Sequence, residues 1–264
     1  MYLQYNLINK FLDIKNILKI VSNMKLIKHI IYIGVILFSS CTTLYELDNK
    51  QNNIISVSAT PDSLITSIIK PYQIGIDSVM DEILCVADIE ISKRKSESLI
   101  GNFVTDLCLY QYSDISDICI MNSGGLRSSL PKGEITKRRI YELMPFDNEL
   151  VILELNEKDF NGLLNYIVSR GGEPFSGMSI QINSQNQLLS YTINNSINFS
   201  NGEKIRVITS DYLANGGDQM WFFKEKSQTK VGIKLRDAII NYCKDNEVIT
   251  SEIDGRLEII SDEK

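Results

Sequence analysis

Two glycine-paired segments carry the side chains best suited to chemistry in this sequence. The first is Asn122-Ser-Gly-Gly-Leu-Arg127, directly after the apolar run ICIM. Paired glycines permit close backbone approach and unusual dihedrals, while Asn122 and Arg127 set an amide and a fixed cationic fork on either side. That is the composition of a binding loop, and also of a plain turn after a strand. The second is Ser210-Asp-Tyr-Leu-Ala-Asn-Gly-Gly-Asp218, after KIRVIT. Tyr212 and, six residues on, Asp218 could stack a flat ring and accept its hydrogen bonds; Tyr212 equally fits a core aromatic. A third segment, without paired glycines, is Met144-Pro-Phe146-Asp-Asn148, where proline restricts the residue before it and could fix an exposed ring at a turn.

Other chemistries are poorly supplied. The one histidine, His29, lies in an N-terminal leader-like segment, so Ser-His-Asp and Cys-His schemes lack their base. A two-metal phosphoesterase centre needs several ligands at once and commonly uses imidazole. The five cysteines, at 41, 85, 108, 119 and 243, form no CxxC pair and no metal-ligand spacing. Cys85, Cys108 and Cys119 sit in apolar surroundings and read as small core residues. No metal site is expected on this chain.

The elements that must position these segments follow from periodicity. ILCVADIEI at 83–91 reads as a strand, and Pro71 as the opening of a short helix before it. Ile100, Val104, Leu107 and Cys108 recur at helical spacing, which predicts a helix over about 99–110. ICIMN reads as a short buried strand. Asn156 as N-cap, with Phe160, Leu163, Leu164 and Ile167 on one face, predicts a helix over 156–170. Strands are expected at 149–155, 178–183, 187–194 and 204–210, a helix at 232–244 and a last strand near 256–260. Helices and strands interleave without a regular βαβ count, so the expected class is α+β, with mixed sheets packed with helices in layers.

The first 58 residues read differently. From Met24 the chain runs MKLIKHIIYIGVILFSSC: two lysines, an apolar stretch, then small residues before Cys41, the layout of a signal peptide. The apolar stretch is far short of the ~20 residues that span a bilayer, and LFSSC resembles the lipobox of bacterial lipoproteins. The expectation is a leader over 1–40, with Met24 as the true start and a signal peptide at 24–40. Cys41 is then the lipidated residue, 41–58 a polar tether and 59–264 the folded domain. Export to the cell envelope as a membrane-anchored lipoprotein follows. Without that leader 22 basic residues face 32 acidic ones, a balance that argues against nucleic-acid binding but not against a small anion held in a locally positive pocket.

Taken in order, the segments resemble the C-terminal, substrate-binding domain of the 5'-nucleotidase family. The resemblance covers roughly 75–260: Arg94, Glu97, Gly101 and Asn102 of an R-x-x-E-x-x-x-G-N segment, the NSGGLR loop, the PF-x-N turn, the LxANGGD loop and DGR at 254–256. It implies that Phe146 and Tyr212 sandwich a base, that Asp218 bonds the ribose, that Arg94 and Arg127 face the phosphate and that Asn122 lies near the reacting group. Tyrosine stands at 212 where phenylalanine is common. Arg94, between Lys93 and Lys95, also fits a solvated charge run.

Complete members carry a separate metallophosphoesterase domain. The resemblance therefore implies a nucleotide-recognition module that is inactive alone and works with a metallophosphoesterase on another chain, which would hold the divalent metal ions. A stand-alone nucleotide- or nucleoside-binding lipoprotein is the alternative, and a fold kept only for structure or protein interaction a third.

Overall fold

The computed structural model describes residues 60–261; the leader, Cys41 and the tether lie outside the described residues. In chain order the elements begin with α1 (Ser63–Met80), β1 (Ile83–Ala87), α2 (Leu99–Gln111), β2 (Ile118–Ile120), β3 (Gly133–Thr136) and α3 (Lys137–Leu143). They continue with β4 (Glu149–Leu155), α4 (Glu157–Ser169), β5 (Phe175–Ser176), β6 (Met178–Asn183), β7 (Leu188–Ile193) and β8 (Ile205–Ser210). A single turn α5 (Asp211–Ala214), β9 (Gln228–Lys234), α6 (Leu235–Asp245), β10 (Val248–Ile249) and β11 (Leu257–Ile260) complete the fold.

A five-stranded mixed sheet, ordered β5-β2-β8-β4-β9, is the centre of the domain. Its inner strands are buried on both faces, and the two-residue side-chain period divides their residues between two cores. Cys119, Leu150, Ile152 and Ile208 join one core with α2 and α6, while Ile118, Val151, Leu153 and Val207 join the other with α4 and β6. Two three-stranded sheets, β10-β1-β3 and β11-β6-β7, accompany it. Parallel pairs (β2–β8, β1–β10, β11–β6) mix with antiparallel ones, and the α+β layering matches the sequence expectation.

The helix starts are chemically legible. Ser98 accepts the Gly101 N–H at the head of α2, and Asn156 accepts the Asp159 N–H at the head of α4, each satisfying a donor that the helix leaves unpaired. Pro71 does not open a helix: it sits inside the 18-residue α1, whose N-cap is Asp62. There it can give no N–H to the carbonyl one turn earlier. The strand expected over 83–91 ends at Ala87, with Ile91 making only a bridge to Leu130. The helix expected from 232 begins at Leu235, because Gly232, at φ +87°, lies in β9.

Candidate functional site

Sheet register gathers the flagged segments at one edge. β2 and β8 run parallel, so the loops leaving their C-terminal ends, Asn122–Arg127 and Asp211–Asp218, emerge side by side. Such C-terminal edges are where open α/β sheets commonly bind ligands. β4 is antiparallel to β8 with Leu150 opposite Ser210, so the chain entering β4 through Phe146–Asn148 meets Tyr212 at the same edge. β5 is antiparallel to β2 with Ile120 opposite Phe175, which brings Glu173 beside Asn122 and Ser123.

Between these segments lies a cleft of about 380 Å³, lined by Asn122, Gly124, Gly125, Arg127, Phe146, Asn148, Tyr212 and Asp218. Five of the six side chains expected to bind ligand are therefore brought together. Phe146 and Tyr212 are 41% and 47% exposed, so each ring keeps part of its surface open at the cleft. Arg94 is not among the lining residues. It is exposed on the loop after β1, which is tied to the Arg127 segment by hydrogen bonds from the Lys93 N–H to Ser129 Oγ (2.9 Å) and from Lys93 Nζ to the Leu126 carbonyl (2.7 Å).

The Tyr212–Asp218 loop is tightly specified. Gly216 has φ +87°, and a Cβ on Gly217 would lie 2.5 Å from the Tyr212 carbonyl and 2.6 Å from its ring. Glycine is thus required for the loop to fold against the face of Tyr212. Asp218 itself is left-handed at φ +51°, a conformation that costs a non-glycine residue unless its surroundings fix it. Three partners do so. Its N–H donates to the Tyr212 hydroxyl (3.0 Å), and its carbonyl accepts from the Tyr166 hydroxyl and Arg170 Nη2 (3.0 Å each). The tyrosine at 212 thus puts its hydroxyl to structural use.

The Asp218 carboxylate links the two glycine loops. One oxygen accepts from Asn122 Nδ2 (3.2 Å) and the other from Arg170 Nη2 (3.0 Å). Arg170 stacks on Tyr166, 4.6 Å from the ring centroid, and lies 3.6 Å from the buried Glu173. Glu173 in turn accepts from the Ser123 N–H (2.7 Å) and hydroxyl (2.8 Å). Burial, followed by the nearby Glu173 and Asp218 carboxylates, pushes the Tyr166 phenol up, which keeps it a donor. The Asp218 carboxylate retains lone pairs for a ligand hydroxyl, since two oxygens offer about four acceptor sites.

Phe146 is held from behind by Arg236. Its guanidinium donates to the Met144 (3.4 Å) and Phe146 (3.3 Å) carbonyls, pairs with Asp147 and stacks 4.2 Å from the Tyr141 ring centroid. Hydrogen bonding from Arg236, then Lys234, holds the Asp147 carboxyl below its usual range. Arg170, Glu173, Tyr166 and Arg236 were not singled out from the sequence. The signal available for the first two was a third glycine pair flanked by charge, Arg170-Gly-Gly-Glu173.

Other motif residues are structural. Glu97 accepts from Asn102 (2.7 Å) and from the Asp254 N–H (3.1 Å). Arg256 of the DGR segment grips Asp106 with two parallel hydrogen bonds (2.7 and 2.8 Å) and also binds Asp254. Among the described residues no group of three or more His, Cys, Asp or Glu side chains could hold a metal ion.

Fold and cleft together define an α+β domain in which two aromatic rings, an arginine and a braced carboxylate face a common space. The 5'-nucleotidase, C-terminal domain family model matches residues 79–225, more than half of the chain, and the chain belongs to this family. An apyrase of Tabanus yao is 26% identical over 260 residues, spanning 83% of this chain and 46% of the apyrase. Cell wall protein Lmo0130 of Listeria monocytogenes is 25% identical over 231 residues, spanning 75% of this chain and 30% of that protein. The solved 5'-nucleotidase precursor of Thermus thermophilus superposes with a TM-score of 0.65 at 22% identity, over 78% of this chain and 45% of that one, and shares the fold. The chain spans less than half the length of each of these relatives.

Proposed function

We propose that this domain is the nucleotide-recognition module of a 5'-nucleotidase. The observation that carries the reading is the convergence of Phe146, Tyr212, Asp218, Asn122 and Arg127 on one cleft. A base between the two rings gains about 1–3 kcal/mol from stacking, by analogy with single-strand binders. Asp218, held rigid by Arg170 and Asn122, accepts ribose hydroxyls. Arg127 presents its fork to phosphate, while Arg94 is exposed on the loop after β1, outside the cleft lining.

The cleft's own side-chain donors, one aspartate and two asparagines, do not fit a two-metal centre. In this reading a metallophosphoesterase on a separate polypeptide would hold the divalent ions, which would supply water activation and polarisation of the phosphate. Binding energy from base and ribose positions the phosphate against it. Export as a lipoprotein anchored through Cys41 is part of the same proposal, supported by the LFSSC segment and by a relative named as a cell wall protein. Among the described residues no helix is long and apolar enough to cross a membrane.

Phosphate release from AMP tests the proposal, measured for this chain, for a metallophosphoesterase without such a domain, and for the two together with divalent metal. The expected result is turnover at least about tenfold above either alone, a transition-state gain of about 1.4 kcal/mol. Nucleotide binding with no effect on any phosphoesterase would instead identify a stand-alone binding lipoprotein, and hydrolysis by this chain alone would overturn the account.

A further inference from the structure

We infer that Arg236, buried at the head of α6, is a positioning residue for base recognition: it acts through Phe146, and it sets that ring at the cleft rather than stabilising the fold. The inference rests on the function proposed above, in which the ring stacks on a base. Phe146 is 41% exposed and belongs to neither core, so core packing does not fix its ring. The backbone of the 144–148 turn does. On the upstream side Pro145 restricts Met144, the C-cap of α3.

Two consecutive residues of α6 hold the turn on its downstream side. The Leu235 N–H donates to the Asn148 carbonyl at 2.9 Å. Arg236 Nη1 donates to the Met144 and Phe146 carbonyls at 3.4 and 3.3 Å, and Nη2 pairs with the Asp147 carboxylate. The guanidinium also lies 4.2 Å from the ring centroid of Tyr141 on α3. One planar cation thus grips the residue before the proline, the ring residue after it and the residue beyond, while resting on the helix that leads into the turn. A planar, preorganised fork suits that task.

Stability alone does not call for this arrangement. Arg236 is 7% exposed, and its Nε is buried with no hydrogen-bond partner among the described residues. A buried donor left unsatisfied loses its hydration uncompensated, and replacing a buried ion pair by apolar side chains of similar volume is often neutral or stabilising. The Asp147 side chain is 66% exposed and has a second cation, Lys234 at 3.2 Å, so the fold does not need Arg236 to neutralise it. A methionine could fill the space against Tyr141, its sulfur making a favourable contact with a ring. What an apolar side chain cannot do is hold the carbonyls on either side of Pro145, and those bonds act on the backbone that carries Phe146.

The test uses the full chain as wild type, Arg236→Met, Phe146→Ala and Phe146→Ala/Arg236→Met. The readouts are melting temperature and adenosine affinity by calorimetry, with ligand taken into the millimolar range. Arg236→Met is expected to melt no more than about 3 °C below the wild type, while its adenosine affinity falls about tenfold, part of what a stacked ring contributes. In the Phe146→Ala background the same substitution changes affinity by less than about twofold, because the ring it positions is gone. Wild-type affinity in Arg236→Met would overturn the inference. A loss that persists undiminished without the Phe146 ring would show that Arg236 does not act through it, and a larger fall in melting temperature would make Arg236 a residue of the fold; either result overturns the inference too. All three leave the proposed function standing. A wild type that binds no adenosine would overturn both.

Discussion

Tyr212 has two tasks, and a conservative substitution separates them. Its ring faces the cleft, while its hydroxyl accepts the Asp218 N–H. Tyr212→Phe keeps the stacking face and removes one hydrogen bond, so stability falls by about 0.5–1.5 kcal/mol with little change in adenosine affinity; chemical denaturation and calorimetry read the two effects. Arg170 answers differently, since its Nη2 reaches both the carbonyl and the carboxylate of Asp218. Arg170→Ala frees a left-handed aspartate and the link to Asn122. The expected loss is about 1–2 kcal/mol in stability, charged hydrogen bonds discounted for partial exposure. Adenosine affinity falls with it, whereas Arg94→Ala leaves adenosine affinity unchanged. Equal effects of the two arginine substitutions on adenosine binding would contradict this division.

At the scale of elements, the site depends on strand ends and on the loop against Tyr212. Gly217→Ala forces a Cβ into the Tyr212 carbonyl and ring, so the loop must move away from the ring. We expect adenosine binding to be lost with only a modest fall in melting temperature, because the clash lies in a loop outside both cores. Wild-type affinity in this variant would contradict the geometry. α2, α4 and the long strand β4 were legible because their apolar periods are clean, and 149–155 is read from the sequence as it stands in the fold; α1 was not, because Pro71 reads as a helix start and lies instead inside the helix. The short β3 and α3 and the half-buried β9 carry weaker patterns, and Ile233 beside Leu235 made a strand end resemble a helix start. Phe146, Tyr212 and Asp218 were legible through their neighbouring Pro and Gly. The brace of Arg170, Glu173 and Tyr166 was not, because its meaning arises only when the β5–β2 pairing sets Glu173 against Ser123.

For the whole molecule, acid stability follows from carboxylates locked to arginines. Burial would raise the Asp117 carboxyl, but hydrogen bonds from Arg206, in first place, and from Asn195 outweigh it and hold it low; Arg256 holds Asp254 low in the same way. Depressed folded values mean that this stabilisation is complete above the unfolded carboxylate value near pH ~4 and is lost as pH falls through the folded values below it. Urea midpoints from about pH 6 to about pH 2 should therefore fall steeply under pH ~4, and Asp117→Asn should lower the plateau and flatten the fall. A wild-type midpoint independent of pH there would contradict it. The central claim, that the cleft recognises the nucleoside part of a nucleotide, is tested most directly by calorimetric titration of adenosine and AMP into the wild-type chain and into Phe146→Ala/Tyr212→Ala. The account predicts binding of both ligands to the wild type, with AMP gaining little over adenosine because Arg127 is the one cation among the described residues that lines the cleft, and loss of both in the double variant. Binding that survives removal of both rings would contradict it.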